Sequence, residues 1–516
     1  MIFAKHFFVA TSVFILTACT PTKPDSIISK ESKAVEIPKM KMTTETPPGI
    51  LTSNHINSRI GVLNSTDGVP DLKTTEIIYD NLDFQHGVQS FLSGIQVASI
   101  DAMRRGIEDF GPPNKTVLLF EQLMDSKALW LTPNTTSVYM TMWLQLEDEP
   151  YVIETPPDVL GIIDNHWFKY VCDFGRLGAD KNKGGKFLIV PPGYDGDIPD
   201  GYLVYHTNTY GNWIIWRGFQ VDGSPEPAIN TTKKVFKAYP LSQKDKPPAM
   251  NFINVSGKFN NTIHNMDRSI FDEINHVVQT EPAIGQDPEI LGAFASIGII
   301  KGQEFKPDER MQKILSEAAQ VASVTLRTLI SRPRDEDFLL FPGKSKVWTN
   351  PFVGGSHKFE VDGVRLLDAR AAFHFYATGI TPAMAKKIIG KGSKYAVAYL
   401  DKEGNPFDGN KTYKVNVPVN VPAKDFWSFT LYDNQTRAML QTDQRFPGLD
   451  QNKAGLIKNT DGSYDVYFGP KPPKGQENNW IQTIPNRGWN MLFRLYGPLD
   501  PWFDKQWYPG DPELEQ

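Results

Sequence analysis

The sequence predicts a mainly β protein, two tandem antiparallel β-sandwich domains with a helical N-terminal segment and a helical bridge between them. Three observations carry this reading. Short runs rich in Val, Ile, Phe, Tyr and Trp recur along the chain and are separated by Pro, Gly and Asp clusters, which is how strands and their turns are written. Two stretches, Asp80 to Phe110 and roughly 265–331, switch to the three-and-four apolar spacing of helices. The chain has 516 residues, and a single hydrophobic core stops growing at about 250–300 residues, so two cores are expected.

The N-terminus is read first. Lys5 and His6 precede an apolar run from Phe7 to Leu16 that is too short to span a bilayer, which takes roughly 20 residues. It ends in Leu16-Thr17-Ala18-Cys19, which resembles the lipobox of bacterial lipoproteins. Residues 1–18 are therefore expected to be a signal peptide and Cys19 to be lipidated, which would tie the protein to a membrane. Thr20 stands where an Asp would mark inner-membrane retention, so the resemblance implies an outer-membrane location facing the periplasm. Residues 19–50 are rich in Thr, Lys, Glu, Ser and Pro and cannot bury enough apolar surface to fold, so a flexible tether is expected.

Phe84, Val88, Phe91, Ile95, Met103 and Ile107 form one apolar helix face, with Gly94 as a candidate break and Gly111-Pro112-Pro113 as the stop. Strands are expected at Val117–Phe120, Val138–Leu146, Tyr151–Glu154, Phe187–Val190, Tyr202–Tyr205 and Trp213–Gln220. In Val138–Leu146 the even-numbered residues are apolar, and the odd-numbered ones carry Tyr139 and Trp143. A strand with two apolar faces suits the inside of a sandwich. Asp287 reads as an N-cap with Pro288 at the first helical position, and a second helix is expected from Pro307, with Asp308 and Glu309 favourable to its dipole. The first domain is thus expected over 51–264, the helical bridge over 265–335, and the second domain with its tail over 336–516. In the second domain Asp368 and Thr381-Pro382 mark further helix starts. The runs Ala396–Leu400, Tyr413–Val417 and the strands between Phe426 and Pro498 read as an antiparallel meander.

The blocks YDNLDFQHGVQSFLSG, LTPNTTSVYMTMWLQL, DKNKGGKFLIVPPGY, YGNWIIWRGFQVDG, FWSFTLYD, NTDGSYDVYFGP, NWIQTIP and FRLYGP together resemble, in this order, the paired domains of unknown function DUF1254 and DUF1214. The resemblance runs from about Gly61 to Pro509. It implies two sandwiches of jelly-roll type in an exported protein, and it brings no established reaction, catalytic residue or cofactor. Some relatives carry an Asp in the block after Asn134, where this chain has Thr135, Thr136 and Ser137.

Composition narrows the function further. A net charge of −5 leaves no basic face for nucleic acid. With Cys19 lipidated, Cys172 is the remaining thiol; it sits among Tyr170, Val171 and Phe174 and is expected to be buried and inert. Ser356-His357 lacks the glycine frame of a nucleophile elbow, and the histidines show no metal-binding spacing, so neither a metal nor a cofactor is predicted. The acids Asp335 to Asp337 read as a solvated face, and the lysines around Gly184 as a hairpin turn. Aromatic faces beside polar groups suit sugars. They single out Asn134, Trp143, Asp164, His166, Trp167, Arg217, Trp480 and Arg494 as ligand-binding candidates, with His166, Trp167 and Arg217 expected at a cleft. The leading expectation is binding, or processing, of a glycan or similar polar envelope ligand. A protein-interaction module of the envelope and a metal- or acid/base-dependent hydrolase are the alternatives. Spacing does not set the number of copies.

Overall fold

The computed structural model describes residues 38–147 and 149–515. The signal peptide, Cys19 and most of the tether expected from the sequence lie outside the described residues. The described residues before Leu72 belong to a unit of their own, in which His55–Ser58, Gly61–Thr66 and Val69–Pro70 pair as a small antiparallel sheet.

The second unit, Leu72–Gln516, opens with helix α1, Leu72–Glu108. Its 37 residues run unbroken through Gly94. That glycine is there for packing: a Cβ on it would stand 2.3 Å from Ile274 Cδ1. Further helices are α2 (Glu226–Val235), α3 (Ile270–Thr280), α4 (Pro288–Ser296), α5 (Glu309–Ser331), α6 (Leu367–Tyr376) and the short α7 (Pro382–Ala385). The starts expected at Asp287 and Thr381 hold, and the helix expected from Pro307 begins two residues later, with Asp308 as its cap. Asp287 accepts from Glu289 N, Asp308 from Met311 N and Thr381 from Ala383 N, each satisfying an N–H that the helix cannot. Asp368 falls inside the first turn of α6, which follows Leu366, and α7 stops at Ala385, short of the expected Gly390.

The rest is mainly sheet. A six-stranded sheet orders Asn251–Asn254, Thr116–Leu119, Val138–Gln145, Gly211–Gly218, Leu160–Asn165 and Tyr170–Gly175. A four-stranded sheet orders Leu203–His206, Gly185–Val190, Tyr151–Thr155 and Lys237–Pro240. In the C-terminal half one sheet orders Ser393–Ala398, Trp489–Pro498, Ala423–Asp433 and Gly448–Asp450, and another Trp480–Gln482, Tyr464–Gly469, Tyr413–Val417 and Glu513–Leu514. Most pairs are antiparallel; the parallel ones are at sheet margins, as where Leu203–His206 joins Gly185–Val190.

The predicted meander is corrected by this order. Ala423–Asp433 and Trp489–Pro498 pair directly, whereas Tyr464–Gly469 between them belongs to the other C-terminal sheet. The chain crosses between sheets because each inner face needs an apolar partner: Phe429 and Phe493 on one sheet meet Phe468 on the other, with Phe429 at 5.4 Å from Phe468, in a core that Trp502 and Trp507 of the tail complete.

Strand alternation behaves as the sequence implies. Val138, Met140, Met142, Leu144 and Leu146 enter one core with Ile153, Phe187 and Ile189 of the four-stranded sheet, and Cys172 is buried there. Tyr139 and Trp143 point the other way, into a central core. That core is built from α1, α3, α5 and α6, and it also takes Trp213 and Ile215 from the N-terminal half and Tyr432 and Leu492 from the C-terminal half. The helices expected as a bridge between the halves are therefore packed into a layer that both halves share.

Candidate functional site

The two sheets that border the central core carry residues one would not place in an apolar layer. On Gly211–Gly218 the inward side chains are Trp213, Ile215 and Arg217. On Trp489–Pro498 they are Leu492, Arg494 and Tyr496. Alternation with period two forces both guanidiniums inward, since Trp216 and Phe493 occupy the opposite faces.

Both arginines line a pocket of about 120 Å³ at the junction of the halves. Its walls include Trp130, Tyr139, Ile162 and Trp213 from the first half and Phe373, Tyr376, Tyr395 and Leu492 from the second. Arg494 is buried and fully engaged. Its Nη1 donates to Thr430 Oγ1 (2.9 Å), and its Nη2 to Tyr432 OH (2.6 Å) and to the carbonyls of Thr132 (2.8 Å) and Pro133 (3.2 Å). It thus ties the C-terminal sheet to the loop that forms one wall. Arg217 is only partly buried and has no hydrogen bond or ion pair to any described residue.

The acids at the pocket hold their protons more tightly than free carboxyls. Burial pushes the Asp173 carboxyl up to about 6, against hydrogen bonds from Thr381 and Tyr170. Beneath it Asp164 is fully buried; one oxygen accepts from Ile380 N (2.9 Å) and the other has no partner. Burial, opposed by that one N–H and reinforced by the neighbouring Asp173, holds the Asp164 carboxyl far above its ordinary range. These two acids pin the loop between α6 and α7, where Gly379 adopts φ +77° and passes over Ile162. The charged side chains lining the pocket are then two guanidiniums against one carboxyl, which favours an anion.

The sequence candidates divide. Asn134, Arg217 and Arg494 reach the pocket, although Asn134 spends its side chain on the loop: its Nδ2 donates to Tyr139 OH (2.8 Å) and its Oδ1 accepts from Thr136 and Ser137 N–H. Asp164 lies under the pocket wall. Trp143 and Trp167 are 0% exposed and offer no face to a ligand, which corrects the expectation that they bind one. Trp480 lies in the other C-terminal sheet, where its indole N–H donates to Gly469 O (2.8 Å).

His166 is also corrected from cleft to core, because the segment after α3 covers its turn. Its Nδ1 is 2.7 Å from Glu281 Oε1 and its Nε2 3.3 Å from Asp101 Oδ1. His206 and His374 do not join it; His206 is exposed, and His374 places Nδ1 2.8 Å from Arg370 O. Asp173, Thr381, Tyr395 and Trp130 were missed. Asp173 left a readable signal as an acid inside the apolar run Tyr170–Gly175.

The chain is β-rich, and both of its halves contribute walls to the pocket. Residues 114–240 match the family model "Protein of unknown function (DUF1254)" and residues 392–500 the model "Protein of unknown function (DUF1214)". The chain thus carries the two domains in the order its sequence resembled, and Arg217 falls in the first match, Arg494 in the second. No curated protein matches the chain. Among solved structures, the VPA0106 protein from Vibrio parahaemolyticus is similar in fold, with a TM-score of 0.52 and 16% identity over 84% of this chain and 100% of that one. A putative uncharacterized protein from Burkholderia cenocepacia covers 84% of this chain with 96% of its own length, at 12% identity and a TM-score of 0.35.

Proposed function

We propose that the protein binds, in the pocket between its halves, a small organic anion with an apolar body. The observation that carries this is Arg217: a guanidinium without a hydrogen bond or ion pair among the described residues, set in an aromatic wall beside a second guanidinium. An unpaired cation in such a wall is costly unless a ligand supplies the counter-charge. A carboxylate can accept two parallel N–H bonds from Arg217 while its body rests on Trp213, Tyr395 and Phe373. A neutral glycan, the ligand class expected from the sequence, would leave that charge unanswered, and two of the indoles meant to stack on sugars, Trp143 and Trp167, are inside the cores.

The lipobox-like Leu16-Thr17-Ala18-Cys19 supports a lipid-anchored place in the cell envelope, where such an anion would be met on the periplasmic side. The paired sheets of each half, sharing one apolar core apiece, support reading them as two sandwiches joined by the central helices. The test is a thermal-shift panel of aromatic and aliphatic carboxylates beside neutral oligosaccharides. Carboxylates with an apolar body should raise the unfolding midpoint, by up to about 3 kcal/mol of stabilisation at one hundred times Kd. A response to oligosaccharides alone would overturn the proposal.

A further inference from the structure

We propose a second site on the far side of the central layer: a mononuclear centre for a divalent transition-metal ion, held by Asp101, His166 and His276. The three come from α1, from the turn after Leu160–Asn165 and from α3, and they offer one ligand atom each within 4.8 Å of one another. Asp101 Oδ1 is 3.3 Å from His166 Nε2 and 2.9 Å from His276 Nδ1. These separations are close to the edge, roughly 3.3 Å, of a tetrahedron whose metal–ligand bonds are about 2.0–2.1 Å.

The surroundings are those of a ligand held for a metal. Glu281 accepts from the backbone N–H groups of Tyr210 (2.6 Å) and Gly211 (2.9 Å), so it is fixed as a carboxylate facing His166 Nδ1. A proton held on Nδ1 by that contact leaves Nε2, 3.3 Å from Asp101 Oδ1, able to take a metal, the carboxylate–histidine–metal arrangement. The Nδ1 atom of His276 is buried and lies 2.9 Å from the same Asp101 oxygen. A cation at that meeting point would take one lone pair from each nitrogen and one from the carboxylate.

The neighbouring arginines are shared between acids: Arg104 Nε is 2.9 Å from Asp101 Oδ1 while its Nη1 is 2.5 Å from Glu108, and Arg105 reaches both Asp101 and Glu273. The His276 side chain is 41% exposed, which gives the ion a way in, and three protein ligands leave a coordination position for water. Two nitrogens and one carboxylate suit zinc or ferrous iron better than calcium or magnesium, which prefer all-oxygen sets.

The experiment uses the tag-free protein after chelator treatment, titrated calorimetrically with Zn²⁺ alone and then with Co²⁺, whose visible bands report coordination. The wild type should take up one equivalent. H276A, chosen because its side chain is partly exposed and so leaves the fold intact, should lose that binding by more than the roughly 10–100-fold that removal of an outer partner costs. H206A, at an exposed histidine elsewhere, should keep it. Absence of a one-to-one site in the wild type, or equal uptake by H276A, would overturn the assignment.

Discussion

Exchanging each pocket arginine for methionine separates the two roles the geometry assigns them. Arg494 has four acceptors, two hydroxyls and two carbonyls. R494M keeps the volume but leaves the Thr132 carbonyl without its donor and the Pro133 carbonyl with Tyr432 OH alone, and it loses charge-assisted bonds to Thr430 and Tyr432; a loss of about 3–5 kcal/mol follows. Arg217 has no partner to lose, so R217M is neutral or stabilising by about 1–2 kcal/mol, because an uncompensated charge leaves the aromatic wall. Urea unfolding followed by tryptophan fluorescence, with midpoints and slopes compared, reads both. R494M should unfold at clearly lower urea and R217M at the wild-type concentration or above. A fall in R217M as large as that in R494M would refute the reasoning, because it would mean Arg217 is held by the protein and not kept for a ligand.

Other outcomes follow from the same structure. Asp173 titrates near 6 in the folded chain against an ordinary value of 3.8, so the folded state holds its proton more tightly than the unfolded one. The resulting penalty is absent below about pH 4, grows as pH rises through 4 to 6 and is complete above it, at most about 3 kcal/mol. D173N should therefore be more stable than wild type at pH 7.5, with the two converging at pH 4 in parallel urea titrations. Gly106 packs where a Cβ would stand 2.4 Å from the Asn261 carbonyl oxygen. G106A should cost about 1–3 kcal/mol in the same titration despite the helix propensity it gains, and a stabilised G106A would contradict the packing described for α1.

Local chemistry made much of this fold readable. The Asp287 and Asp308 caps, the alternation of Val138–Leu146 and the strand positions depend on neighbouring residues, and they stand within a few positions of where the sequence puts them. What depends on partners far along the chain did not show. Gly94 reads as a helix break until Ile274 is seen against it. Tyr464–Gly469 reads as the middle of a meander until its pairing with Tyr413–Val417 is known. In the site, Arg217 and Arg494 stood out as charges on otherwise apolar strands, but that they line one pocket depends on residues hundreds of positions apart. The meeting of Asp101, His166 and His276 likewise has no trace in their spacing. The tryptophans misled for a related reason, since an indole suits a core and a sugar equally well until its exposure is known.

The most direct test of the central claim is isothermal titration of the carboxylate that gives the largest thermal shift, carried out at several temperatures on wild type and R217M. The geometry predicts one site per chain and a negative heat-capacity change from the apolar wall, with an affinity roughly 10–150-fold weaker in R217M, the worth of one charged hydrogen-bonded contact of about 1.5–3 kcal/mol. Equal affinity in the two proteins would contradict it.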